Sequence, residues 1–213
     1  MRTTALVITG GGSVRGSLPP GLEHAFVIAA DGGVTEAHRL GLHVDLLVGD
    51  LDSASDDDVA AVQAGGGEVE SHPQDKDATD LELAIARAVS AGATRIVVLG
   101  GDGGRLDHLL GNALVLASPR WAGIDVEAVL GDARITVIRG ERALDGAPGA
   151  LLSLVAVGAT ASGVSTEGLR WALRDADLPA ATSLGISNEF TGERAIVRVR
   201  DGVVLAIAPQ GPA

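Results

Sequence analysis

Runs of consecutive apolar residues recur through the first half of the chain, and each is closed by glycine or an acid. Ala5 to Thr9, Ala25 to Ala30, Val44 to Val48 and Arg95 to Leu99 are continuous rather than alternating. That pattern predicts strands buried on both faces, as in a parallel sheet. Stretches with helical spacing lie between them. Val34 to Leu40 stops near Gly41, and a helix capped by Ser53 or Ser55 runs to about Ala64. Thr79 with Glu82 fits a capping box, so Thr79 is the expected N-cap and Asp80 the first helical residue. Leu81, Ile85, Ala88 and Val89 then form one apolar stripe to about Ala91, with Gly92 as the stop. Beyond Arg105, Leu106, Leu109, Leu110, Ala113, Leu114 and Leu116 supply the apolar faces of a helix reaching about Ala117. Glu68 to Ser71 is short and polar, the pattern of an edge strand.

After Pro119 the strand–helix rhythm ends. Val126 to Leu130 and Ile135 to Ile138 read as strands, and Arg139 to Gly149, with Gly140, Gly146, Pro148 and Gly149, reads as a linker. Leu151 to Val157, a Gly/Ser/Thr-rich middle, Ala195 to Arg200 and Val203 to Ile207 follow, all without helical spacing. Asp201-Gly202 between the last two is the signature of a two-residue hairpin turn. The fold class expected is therefore an α/β N-terminal domain with a mostly parallel sheet, over residues 1–140. A small all-β sandwich domain, residues 141–213, follows it.

Composition narrows the function classes. Hydrophobic residues make up 46% of the 213 and charged residues 21%, which describes a globular chain with enough length for a real core. With two Phe, two Trp and no Tyr, the core has to be built from Val, Leu, Ile and Ala, and the placement of each Trp becomes informative. The formal net charge of −12 argues against a general nucleic-acid or anionic-membrane surface, which would need clustered Lys and Arg. Cysteine is absent, so disulfide and thiol chemistry is excluded. The apolar stretch at the N-terminus is shorter than a signal-peptide core and no later run is long enough for a bilayer, so a cytoplasmic location is expected.

The candidate chemistry sits where strands end. Leu46-Leu47-Val48 runs into Gly49-Asp50-Leu51-Asp52-Ser53, placing two acids at i, i+2 beyond a carboxyl strand end, where open parallel sheets bind ligands. Two acids held together repel unless a cation lies between them, and a hard oxygen-binding ion such as Mg2+ is the usual solution. Read alone, the same residues also make an ordinary acidic turn. Asp31-Gly32-Gly33 repeats the arrangement after the second strand. Lys76 and Asp77 stand just outside the helix that Thr79 and Asp80 open. Gly103-Gly104-Arg105-Leu106-Asp107-His108 leads into another helix, with Asn112 one turn after His108. Backbone N–H groups and a guanidinium there suit a polyphosphate. The loop Gly10 to Ser13 lacks a phosphate-binding fingerprint and stays outside the candidate set. In the second half, Gly168-Leu169-Arg170-Trp171 and the stretch Ser183 to Asn188 stand out. Trp171 taken alone fits a sandwich-core tryptophan; Ser183, Ser187 and Asn188 offer hydrogen bonds of the kind that read a heterocycle.

Taken in order, these motifs from Asp31 to Phe190 resemble the thiamine pyrophosphokinase (thiamine diphosphokinase) family. The resemblance implies an α/β domain, a β-sandwich and a homodimer with active sites in clefts between subunits. It implies transfer of the pyrophosphoryl group of ATP to thiamine, with Mg2+ as cofactor. By the same resemblance Asp50, Asp52 and Asp80 are the metal-centred carboxylates, and Lys76, Asp77, Arg105 and Asp107 join them as catalytic groups. Asp31, Gly32, Gly33, Ser53, Lys76, Asp77, Thr79, Gly103, Gly104, Arg105, His108 and Asn112 surround the nucleotide. Trp171, Ser183, Ser187 and Asn188 recognise thiamine, which moves Trp171 out of the core. Two other readings share part of the pattern: a DxD-type nucleotide-sugar transferase, and a non-catalytic thiamine or nucleotide sensor.

Overall fold

The computed structural model describes residues 3–15, 18–100 and 105–209, and Gly103 and Gly104 lie outside them. The chain divides into two compact units, Met1–Val115 with Gly123–Asp132, and Leu116–Ala122 with Ala133–Ala213.

In the first unit the elements are β1 (Thr4–Thr9), β2 (Phe26–Ala30), α1 (Gly33–Arg39), β3 (Leu46–Gly49), α2 (Asp56–Ala64), β4 (Glu68–Ser71), α3 (Asp80–Ser90), β5 (Arg95–Gly100), α4 (Leu106–Leu116) and β6 (Asp125–Leu130). The strands pair in the order β4-β3-β2-β1-β5-β6, and each of these pairs is parallel. The polar strand β4 is at the edge, as its composition predicts. Chain order reverses between β1 and β5, and such a switch point opens a crevice at the carboxyl ends of the strands. One face of the sheet buries Leu6, Ile8, Val27, Leu47 and Leu99 against Val34 and Ala37 of α1 and Val62 of α2. The stripe Leu81, Ala84, Ile85 and Ala88 of α3 is buried outside that cluster, and α3 contacts β1, β2 and β3. Ser55 caps α2 by accepting from Asp58 N, and Thr79 caps α3 by accepting from Glu82 N, so Asp80 is the first helical residue.

The second unit holds β7 (Ala133–Ile138), β8 (Glu141–Asp145), β9 (Leu151–Ala156), β10 (Ala161–Glu167), β11 (Ala176–Leu178), β12 (Asn188–Glu189), β13 (Arg194–Arg198) and β14 (Val204–Pro209). Antiparallel pairing gives one layer β12-β9-β14-β7 and another β11-β10-β13-β8. Leu152, Leu154 and Val204 of the first layer pack with Val164, Ala195 and Val197 of the second, the sandwich core.

Two expectations are corrected here. The stretch Arg139 to Gly149 is not a linker throughout: Glu141–Asp145 is β8, which pairs with β13 from Glu141 opposite Arg198 to Asp145 opposite Arg194. Its charged ends read as solvated loop, and only the cross-strand partner makes it a strand. Asp201-Gly202 is not a hairpin turn. β13 pairs with β8 and β10, whereas β14 pairs with β7 and β9, so the chain crosses between layers at this dipeptide. Ser162 exchanges backbone hydrogen bonds with Asp201 at the crossing, and Gly202 takes a φ of 95°.

Candidate active site

The site is built from the ends of β2 and β3 and the start of α3. Asp31 turns the chain out of β2 with a φ of 45°. Its N–H donates to Val48 O at 2.9 Å and its carbonyl accepts from Val34 N at 3.1 Å. Two residues on, α1 begins against the end of β1. A Cβ on Gly33 would lie 2.1 Å from the Ile8 carbonyl oxygen, so this position admits no side chain without backbone movement. Gly33→Ala is accordingly expected to cost about 2 kcal/mol or more of folding stability, read from the denaturant midpoint. A midpoint equal to wild type would contradict the close approach.

Gly49, with a φ of 151°, leaves β3 beside two carboxylates. A Cβ there would sit 3.0 Å from Asp31 Cβ and 3.0 Å from Asp80 Oδ1. The missing side chain is what lets Asp31 and Asp80 approach the loop. Leu51 then adopts a φ of 63° while its side chain packs on the core, a conformation that costs an ordinary residue roughly 1–2 kcal/mol. That strain lies between the two acids of the loop.

Asp31, Asp50 and Asp52 each offer a carboxylate oxygen within 4.8 Å of the others. Asp80 reaches the same group through Lys76, whose ammonium is 2.8 Å from Asp50 Oδ2 and 3.1 Å from Asp80 Oδ1. The Lys76 hydrogen bond holds the Asp50 carboxyl below the ordinary carboxylate range. Asp80 goes the other way although it shares the same ammonium: burial raises it, and the neighbouring charges of Asp50 and Asp31 add to the rise. Burial opposes charge on Lys76, but its hydrogen bond to Asp50 and its ion pair with Asp80 outweigh this and keep it above its ordinary value. Asp52 is fixed by Ser53 Oγ at 2.9 Å and Gln74 Nε2 at 2.9 Å, and Ser53 N donates to Asp31 Oδ1 at 3.2 Å.

These residues fit a hard divalent cation. The donors are all carboxylate oxygens, which Mg2+ prefers. Asp80 Oδ1 is shielded from solvent and receives no directed hydrogen bond; its contact with Lys76 is an ion pair without hydrogen-bond geometry. The Lys76 ammonium at 3.1 Å offsets this buried oxygen only in part, and a cation coordinated by it would complete the compensation.

Beside the cluster lies a cleft of about 450 Å³ at the switch point, lined by Thr9, Gly10 and Gly11 after β1, by Asp31, Gly32 and Ser53, and by Thr79 and Asp80. Arg105, just before α4, and His108 and Asn112, on one face of that helix, close it from the other side. Arg105 is paired with Asp107 at 2.6 Å, both side chains mostly exposed, and this guanidinium holds the Asp107 carboxyl down at about 2. Asp77 is exposed and makes no hydrogen bond or ion pair to a described residue.

Three contributions escape a reading of the sequence. Asp31 joins Asp50 and Asp52 in the carboxylate cluster, which its positive φ and the Cβ that Gly49 lacks bring about. Gln74 orients Asp52 from a segment with no distinguishing pattern. Gly10 and Gly11 line the cleft although their loop carries no fingerprint; its position after the first strand was the available signal.

The sandwich brings Trp171 and Asn188 together. Asn188 is 3% exposed; its Oδ1 accepts from Trp171 N at 3.1 Å and from Glu189 N, and its Nδ2 donates to Trp171 O at 2.8 Å. The amide is thus occupied with holding the Trp171 backbone. Trp171 is 53% exposed, with the Arg170 guanidinium 4.8 Å from the centre of its ring. The core tryptophan is Trp121, at 2%. Ser187 donates its N–H to Ser153 Oγ at 3.1 Å, and Ser183 is exposed one turn before it.

The class so defined is an α/β protein with an acidic small-molecule cleft at its switch point, followed in the chain by a β-sandwich. Residues 22–128 match the family model "Thiamin pyrophosphokinase, catalytic domain", and residues 135–204 match "Thiamin pyrophosphokinase, vitamin B1 binding domain". The chain belongs to the thiamine pyrophosphokinase family. A Bacillus subtilis protein named thiamine pyrophosphokinase is 24% identical over 187 residues, 87% of each chain. The crystal structure of thiamine pyrophosphokinase from that organism superposes with a TM-score of 0.80 at 23% identity, covering 97% of this chain and 99% of the other. The structure from Geobacillus thermodenitrificans gives a TM-score of 0.75 at 27% identity, covering 96% and 97%. No helix among the described residues is long and apolar enough to cross a membrane.

Proposed function

We propose that this protein carries out its family's reaction, moving the pyrophosphoryl group of ATP to the hydroxyl of thiamine to give thiamine diphosphate and AMP. The observation that carries the reading is the meeting of Asp31, Asp50 and Asp52 with Asp80 and Lys76 at the mouth of the switch-point cleft. In chemical terms the thiamine oxygen forms a bond to the β-phosphorus, the bond to the α–β bridging oxygen breaks, AMP leaves, and the hydroxyl proton is released. Such transfers need positioning and charge neutralisation more than covalent help from the protein.

Asp31, Asp50, Asp52 and Asp80 would hold Mg2+, which supplies charge neutralisation for the phosphate oxygens. Lys76 and Arg105 offset the charge that builds on the bridging oxygen, and the backbone of Gly10 and Gly11 leaves room for a phosphate chain to approach. Trp171 offers the cationic thiazolium the aromatic face that the Arg170 guanidinium leaves open. The net charge of −12 favours the same cation, while local basic groups accommodate ATP.

A homodimer with active sites between subunits belongs to this reading. Its support is the exposed apolar set Leu106, Leu110 and Leu114 on α4 and Leu184 and Ile186 on the sandwich, which a partner would cover. A cytoplasmic location goes with the need for ATP. The test is incubation of the purified protein with ATP, Mg2+ and thiamine. Equal amounts of AMP and thiamine diphosphate are expected; ADP as the nucleotide product, or no turnover, would overturn the reading.

A further inference from the structure

We propose that Lys76 is an internal counter-ion: it holds the acidic cluster together before a divalent ion arrives and is displaced from it when the ion binds. This rests on reading the cluster as a Mg2+ site. The Lys76 side chain is only 13% exposed, and its ammonium spans carboxylates from two separate segments, Asp50 from the loop after β3 and Asp80 from the start of α3. Asp31 and Asp52 stand close by on the same cluster. Without a cation these like charges would push the three segments apart, and the ammonium is what opposes that.

The same contacts make Lys76 a competitor of the metal. It occupies Asp50 Oδ2 and lies against Asp80 Oδ1, oxygens that a divalent ion would take. An ion among these carboxylates puts two positive charges beside a third, so the ammonium has to move. Its means of moving is its own flexible four-carbon stem, carried on the irregular segment between β4 and α3. Once released, the ammonium stands at the cleft that Asp80 lines, where a nucleotide's phosphates would receive it. The free site is thereby weak for metal alone and stronger for metal with nucleotide, since the anion gives Lys76 an alternative partner. That coupling is reciprocal: metal promotes nucleotide binding by the same factor.

The experiment is a titration of the whole protein with Mn2+ alone, followed by electron paramagnetic resonance or calorimetry, on wild type, Lys76→Met and Lys76→Arg. Lys76→Met is expected to bind Mn2+ at least tenfold more tightly than wild type in the absence of nucleotide, with Lys76→Arg close to wild type. In EDTA, Lys76→Met is expected to melt earlier than wild type, and Mn2+ to restore it. Equal or weaker Mn2+ binding by Lys76→Met overturns the proposal and leaves a purely structural ion pair. A measurement without any variant guards against misfolding: the Lys76 ammonium protons, protected in EDTA, are expected to lose their NMR signal on addition of Mg2+. Persistence of that signal at saturating Mg2+ also overturns it. Failure of all three proteins to bind Mn2+, with or without ATP, would instead remove the metal site, and this proposal with it.

Discussion

Asp52→Asn is expected to lower turnover by roughly 10³-fold while leaving the fold intact. The substitution keeps the shape and removes one negative charge from a group of acids that meet within 4.8 Å. Asp52 is exposed, so burial contributes little to what it does for folding. Its two fixed contacts also survive the change. Gln74 Nε2 can still donate to the remaining oxygen, and the Ser53 hydroxyl, now donating to the carboxylate, can turn and accept from the new amide. The variant is expected to lose affinity for a divalent ion, and raising Mg2+ is expected to restore only part of the rate. An unchanged melting temperature together with the lost turnover separates chemistry from stability. Wild-type rates at ordinary Mg2+ would show that Asp52 holds no metal during the reaction.

The parallel sheet was legible because its strands are buried on both faces and so appear as unbroken apolar runs ending in Gly or Asp. Helix starts were legible for a local reason: Ser55 and Thr79 satisfy backbone donors within their own first turns, and no distant partner is involved. The sandwich was harder to read. β8 carries Glu141, Arg142 and Asp145, and it is a strand only because β13 lies beside it. Asp201-Gly202 has the composition of a hairpin turn, yet the flanking strands find their partners in opposite layers, and tertiary pairing overrides the local signal. The acidic site divides in the same way. Asp50 and Asp52 announce themselves by spacing, and Asp80 by its capped helix. The closeness of Asp31 depends on a positive φ and on the Cβ that Gly49 lacks, neither of which periodicity encodes. Composition could say that two tryptophans existed, but only packing separates the buried Trp121 from the half-exposed Trp171.

That exposure makes Trp171→Ala the sharper test of the sandwich's role. The variant is expected to raise the KM for thiamine at least tenfold and to leave the KM for ATP within about twofold. Tenfold corresponds to about 1.4 kcal/mol, within the range for a cation resting on an aromatic face. Stability is expected to change little, because Trp171 is half exposed and the backbone clamp from Asn188 bonds to main-chain atoms that alanine retains. Trp171→Phe keeps an aromatic face in the same clamp and is expected to recover most of the thiamine affinity. Asn188→Ala provides the contrast. It removes two bonds to Trp171 and leaves a buried gap, so it is expected to lower stability and thiamine affinity together. If Trp171→Ala shifted both KM values equally, or melted the protein, the indole would be a packing residue and thiamine would be read elsewhere.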